Sequence, residues 1–167
     1  TTWTELPSSN LGGATYLPDD VGSCFESTLD FNLFTPGQTL NNVNDLLDIC
    51  VSMEHSFMGD LVATIICPNG QSVILHQQNG SGTFLGDPVD VDDSLQPGNC
   101  WQYCWSPTAT NGTWADNSDT GPTPNVVVAP IEGQNSLAPG TYESLNPLND
   151  LVGCPLNGTW TIEFCDL

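Results

Sequence analysis

LLDICVSMEHSFMGDLVATIICPNGQSVILH, residues 46–76, holds three apolar runs divided by two turn signals, Ser-Phe-Met-Gly-Asp at 56–60 and Pro-Asn-Gly at 68–70. Apolar runs of this length bounded by such turns predict β-strands, and their succession predicts a three-stranded antiparallel meander. Leu47, Ile49, Val51 and Met53 share one face of the first strand, as Val73 and Leu75 do in the third. Residues 61–67 are apolar on both faces, so the middle strand is expected to be fully buried. Pro68 presets the first turn position, and Asn69 and Gly70 tolerate the left-handed region, which fits a tight hairpin with a bulge.

Strand patterns continue on both sides. In CFESTLDF (24–31), Phe25, Leu29 and Phe31 alternate with Glu26, Thr28 and Asp30, which predicts a half-buried strand. GTWTIEFC (158–165) sets Trp160, Ile162 and Phe164 against Thr161 and Glu163 in the same way. NVVVAPI (125–131) reads as a strand that Pro130 confines to an edge or an end, and 141–144 as a short element. No stretch keeps a 3.6-residue apolar period, and helix is limited to turns such as 42–46. With 167 residues, frequent Gly and Pro and many β-branched side chains, the chain is expected to be one all-β domain.

Charge restricts the partners. The chain has 20 acidic residues, no Lys, no Arg and two His, a formal net charge of −20. Nearly every ordinary salt bridge is thereby excluded, the Thr1 amine and a partly protonated His being the only cations expected, and so is the Lys/Arg attraction that nucleic acid and anionic lipid surfaces require. The longest apolar runs are far too short to span a bilayer, so no membrane insertion is expected. A protease that needs Lys or Arg before the cleaved bond has no site here. Self-repulsion of this size opposes both folding and self-association unless salt or bound cations compensate.

Seven Cys without a paired zinc pattern predict an oxidising compartment and disulfides drawn from Cys24, Cys50, Cys67, Cys100, Cys104, Cys154 and Cys165, with one thiol left over. The connectivity stays open at this point, although the strands bearing Cys50 and Cys67 are expected to be neighbours. No Met, basic segment or apolar signal core precedes Thr1, so the chain is read as a mature, secreted protein at the cell surface or beyond.

The loop 86–94, GDPVDVDDS, gathers Asp87, Asp90, Asp92 and Asp93, and Asp60 lies in the 56–60 turn. Hard oxygen ligands clustered without a cationic side chain to pair them form a candidate Ca2+ site, although the spacing is not that of an EF-hand. The competing reading is a solvated acidic loop. Trp101, Tyr103, Trp105 and Trp114 either cap the core or form a sugar-stacking platform, which would add glycans to the partners. N-x-S/T triplets begin at Asn79, Asn111 and Asn157, and they mark glycosylation only in a source with that machinery. For catalysis there is no nucleophile elbow, and neither His55 nor His76 sits in a recognised motif; His55 reads as an inward-facing, hydrogen-bonded residue.

Several of these segments together resemble the P domain that follows the subtilisin-like catalytic domain of kexin- and furin-type proprotein convertases, and in particular its branch in bacterial secreted and surface proteins. The residues that carry the likeness are MEHSFMGDLVATIICPNGQSVILH (53–76) and LNGTWTIEF (156–164), with LPDDVGSCFESTLDF (17–31), CWSPTATNGTW (104–114) and LAPGTYESLNPLNDLVGCPLNGTW (137–160). The resemblance implies a jelly-roll-like antiparallel β-sandwich of about eight strands, non-catalytic, acting in stability, targeting, adhesion or assembly, with Ca2+ in some members. It divides the chain into an N-terminal extended segment, 1–16, and the sandwich, 17–167.

Family members continue past the GTW strand into one more strand, whereas this sequence stops at Leu167. A sandwich short of a strand is a template for pairing with another chain. The β-prone segment with Thr2, Trp3, Thr4 and Leu6 is the candidate donor, filling the gap in the next copy head to tail. Two functional readings follow: a self-assembling structural subunit of an extracellular fibre or surface layer, and a monomeric binding or protease-companion module.

Overall fold

In a computed structural model, residues 17, 23–90 and 96–167 are described, and the apolar/polar alternations become strands. Among these residues the strands are β1 (Cys24–Phe31), β2 (Ile49–Met53), β3 (Leu61–Ile66), β4 (Ser72–Gln77), β5 (Trp101–Trp105), β6 (Val126–Val128), β7 (Asn135–Leu137), β8 (Gly140–Tyr142) and β9 (Gly158–Asp166). One short helix, α1 (Trp114–Asn117), starts at a capping box in which Thr113 and Asp116 satisfy each other's backbone N–H groups. The candidate donor residues Thr2, Trp3, Thr4 and Leu6 lie outside the described residues, as do Asp92 and Asp93.

The strands form a four-stranded sheet in the order β1-β9-β3-β4, a three-stranded sheet β2-β5-β8 and a two-stranded ribbon β6-β7. Leu61, Ala63 and Ile65 of β3, Val73 and Leu75 of β4 and Phe164 of β9 share one buried cluster with Tyr103 and Trp105 of β5 and Tyr142 of β8. The fold is therefore an all-β sandwich, built around a single core. All pairings are antiparallel except β5 with β8.

The expected meander is only half present. β3 and β4 make the hairpin, but β2 lies in the other sheet beside β5, and the second flank of β3 is taken by β9. The reason is the 56–60 stretch, which is a crossing between sheets and not a hairpin turn. Met58 is completely buried, and a 3-10 turn at Met58–Asp60 sits against the following loop through Met58 N–H to Thr83 O (3.0 Å) and Gly59 N–H to Ser81 O (2.9 Å). Gly59 is required there, because a Cβ would come within 3.0 Å of the Ser81 carbonyl oxygen.

β3 also alternates instead of being buried on both faces: Leu61, Ala63 and Ile65 are buried, while Val62, Thr64 and Ile66 are half-buried. Gly70 at φ 87° closes the hairpin, but the register shift falls inside the strands, between Ala63 and Thr64. Ala63 pairs with His76 and Thr64 with Ile74, so the extra residue is Leu75, and both Leu75 and His76 turn into the core.

Three disulfides form: Cys24–Cys165, Cys50–Cys104 and Cys67–Cys154. Cys100 is the odd thiol, exposed and free, and Cys104 is taken up by Cys50. The expected adjacency of Cys50 and Cys67 fails with the meander. The first two bridges join residues directly opposite across β1/β9 and β2/β5, with Cα–Cα separations of 4.3 and 4.1 Å.

Candidate functional site

Asp87 does not present itself as an open ligand. It is buried, its Oδ1 accepts the Ile131 N–H (2.8 Å) and its Oδ2 accepts from Asn99 Nδ2 (3.0 Å). Its backbone pairs with that of Asn99, so the carboxylate fastens two loops together. Asp90 donates its N–H to Glu132 Oε1 at 3.3 Å. Among the described residues neither Asp87 nor Asp90 belongs to a group of three His, Cys, Asp or Glu ligand atoms, and Asp60 gathers with His55 and Asp166 instead. The crossing geometry of 56–60 causes this separation, since it turns Asp60 towards the end of β9.

The aromatic stretch is core. Trp105, Trp114 and Tyr103 are fully buried; Trp105 and Trp114 stack with centroids 4.5 Å apart, and Tyr103 meets Trp114 edge-on at 5.4 Å. A sugar-stacking platform built on Trp101, Trp105 and Trp114 is thus ruled out, because two of its rings face no solvent. The Tyr103 hydroxyl donates to Leu137 O (2.9 Å) and accepts from Gly86 N–H (2.7 Å), and burial pushes its pKa up to about 12.

Both imidazoles are engaged. His76 Nε2 donates to the Met58 carbonyl oxygen at 3.1 Å, its ring lies 5.4 Å from that of Trp114, and burial lowers its pKa. His55 is half-buried, with Nε2 3.2 Å from Asp60 Oδ1. Partial desolvation of the otherwise exposed Cys100 thiol, with the charge of Glu54 second, raises its pKa. Of the glycosylation triplets, Asn157 uses its amide to clamp the Phe34 backbone, accepting its N–H at 3.0 Å and donating to its O at 2.9 Å. Asn79 and Asn111 are exposed.

Among the described residues the outer edge of β4 is covered, whereas those of β1 and β2 are not. Beyond β8 the chain runs along the outer edge of β4, with Leu145 and Asn146 donating to Leu75 O and Ile74 O. On the opposite side, β1 and β2 are terminal strands, and among the described residues neither outer edge has a backbone partner. Burial follows the same gradient. The inward rows at the closed side are buried, whereas Phe25 and Leu29 of β1, Ile49, Val51 and Met53 of β2, and Trp160 and Ile162 of β9 are half-buried.

Register defines which backbone groups face outward. Opposed residues with Cα atoms about 4.5 Å apart form the non-hydrogen-bonded pairs, whose N–H and C=O groups point away from the partner strand. Cys24 opposite Cys165, at 4.3 Å, sets that phase for β1, so Cys24, Glu26, Thr28 and Asp30 aim their backbone groups at the open edge. Cys50 opposite Cys104, at 4.1 Å, does the same for Cys50 and Ser52 of β2. Each of these edge strands is also stapled to its inner neighbour by a disulfide.

No family model matches this chain, and no curated protein or solved structure matches it significantly, so nothing in these comparisons identifies a P domain.

Proposed function

We propose that this protein is a non-catalytic, secreted structural subunit that assembles by strand addition at the outer edge of β1. The observation that carries the reading is the open side of the sandwich: an eight-residue edge strand with outward backbone groups at Cys24, Glu26, Thr28 and Asp30, above an incompletely covered core. β1 is preferred to β2 because β2 offers such groups only at Cys50 and Ser52. The disulfides Cys24–Cys165 and Cys50–Cys104 keep both terminal strands from fraying while the edge is vacant.

The occupant is residues 1–6 of a second copy, through Thr2, Trp3, Thr4 and Leu6. Leu17 packs against the core, and the 16 residues before it span at most about 55 Å when extended. A domain of this size has a radius of gyration of about 15 Å, so such a segment is long enough to cross to a neighbour. The motif resemblance to P domains supports a scaffold role, and the absence of Lys and Arg suits material exposed to proteases. Ca2+ belongs to the same proposal: bound through the 86–94 loop, with Asp90, Asp92 and Asp93, it offsets repulsion between copies of charge −20.

Deleting residues 1–6 tests the reading. Filaments in the intact protein and dispersed particles in the deletion, seen by negative-stain microscopy, support it. An intact protein that is a monodisperse monomer overturns it and favours a binding module, as does a polymer that survives the deletion.

A further inference from the structure

We propose that His55, Asp60 and Asp166 form a binding site for a divalent transition-metal ion of the zinc type, separate from any Ca2+ site in the 86–94 loop. One ligand atom from each of the three residues lies within 4.8 Å of the others. His55 Nε2 is 3.2 Å from Asp60 Oδ1 and 4.0 Å from Asp166 Oδ1. A tetrahedral ion with bonds of about 2.1 Å holds its ligand atoms about 3.4 Å apart. Of the three separations, His55 to Asp60 already fits, His55 to Asp166 closes by a side-chain movement of about half an ångström, and Asp60 to Asp166 lies within 4.8 Å.

Backbone hydrogen bonds order the segments that carry the three side chains. His55 exchanges both backbone hydrogen bonds with Leu85 (2.9 and 2.8 Å). Asp60 ends the 3-10 turn, and its carbonyl accepts the Leu167 N–H at 3.1 Å. Asp166 pairs with Leu61 across β3/β9 and follows Cys165, which is bridged to Cys24. The ligand set is thus carried on two anchored places, the His55–Leu85 bridge and the β3/β9 pairing, and backbone order of this kind lowers the entropy lost on binding.

Charge selects the occupant. Asp166 extends the inward row of Trp160, Ile162 and Phe164, so its side chain sits at the core rim with 17% exposure, beside His55 at 11% and Asp60 at 33%. Two carboxylates around one imidazole leave a net negative charge even when the imidazole is protonated. A divalent ion with neutral imidazole and two carboxylates makes the set neutral, and the chain has no Lys or Arg that could do so. The nitrogen ligand favours zinc-type ions over Ca2+, which takes oxygen. Water completes the coordination.

The protein has only two His, which makes the test specific. Zn2+ is titrated into the Cys100→Ser protein in 0.5 M NaCl, to remove thiol binding and screen diffuse attraction, while imidazole C–H signals are followed by NMR. The expected result is that one equivalent moves a single imidazole signal, that of His55, and leaves buried His76 in place, and that Ca2+ at the same concentration moves neither. His55→Gln and Asp166→Asn should each weaken Zn2+ binding tenfold or more, with an unchanged His76 signal showing that the core is intact. An unmoved His55 signal at one equivalent, or wild-type affinity in both variants, overturns the proposal.

Discussion

Trp114 sits at the centre of the aromatic cluster, against Trp105, Tyr103 and His76. Among the described residues, the buried indole N–H groups of Trp105 and Trp114 have no hydrogen-bond partner. An unpartnered buried donor costs about 1–3 kcal/mol, so shape, not polarity, is what the two rings contribute. Trp114→Ala is expected to lower stability by about 3–5 kcal/mol. Trp114→Phe should cost markedly less, because it keeps a ring and removes the unpartnered donor; denaturant unfolding of both variants gives the comparison. His76 adds a pH dependence. Its folded pKa lies below the ordinary 6.5, chiefly through burial, with the Met58 hydrogen bond opposing and the charge of His55 reinforcing. The unfolded chain therefore binds the extra proton, so the contribution is fully present above about pH 6.5 and is lost as pH falls below it. Denaturation at pH 7.5 and 5.5 should show that loss, and His76→Gln should flatten it. The sequence did not show the fate of these rings, because aromatic residues among Pro and Gly suit a loop platform and a core cap equally well. His76 entered the core through a one-residue bulge that no spacing announces.

At the scale of elements, β1 and the greater part of β9 were legible from alternation alone, down to the facing of Phe25, Leu29, Trp160 and Ile162. β2 was legible as a strand but not in its partner. A period of two tells which side chains share a face and says nothing about which sheet receives the strand. That choice was made by Met58, whose burial turns an apparent hairpin into a crossing, and it also decided the disulfides and the placement of Asp60. Cysteine spacing could not have given Cys24–Cys165, which spans 141 residues. A loop of that size implies about 5 kcal/mol from restricting the unfolded chain. The paired Cys24→Ser, Cys165→Ser protein should therefore unfold at a much lower denaturant concentration. An unaltered midpoint would mean that β1 is held by its ladder and packing alone.

For the whole molecule, composition indicated the class, an all-β chain with a disulfide framework, and the structure adds its asymmetry. Among the described residues the outer edge of β4 is covered by the 145–146 segment, while β1 and β2 present outward backbone groups and half-buried side chains. A uniform charge of −20 sets the terms on which that edge can be used, since copies approach only when counterions neutralise them. Assembly is accordingly expected to strengthen with Ca2+ or added salt and to weaken on dialysis against chelator at low ionic strength, read by light scattering.

The most direct test removes one outward N–H from each open edge. Thr28→Pro takes a donor from the outer edge of β1 without touching a hydrogen bond to β9, and Ser52→Pro does the equivalent on β2 beside β5. Sedimentation velocity of the two variants against the unaltered protein is the measurement. The account predicts that Thr28→Pro leaves folded monomers while Ser52→Pro assembles as the parent does. Polymers of unchanged size from Thr28→Pro would contradict strand addition at β1.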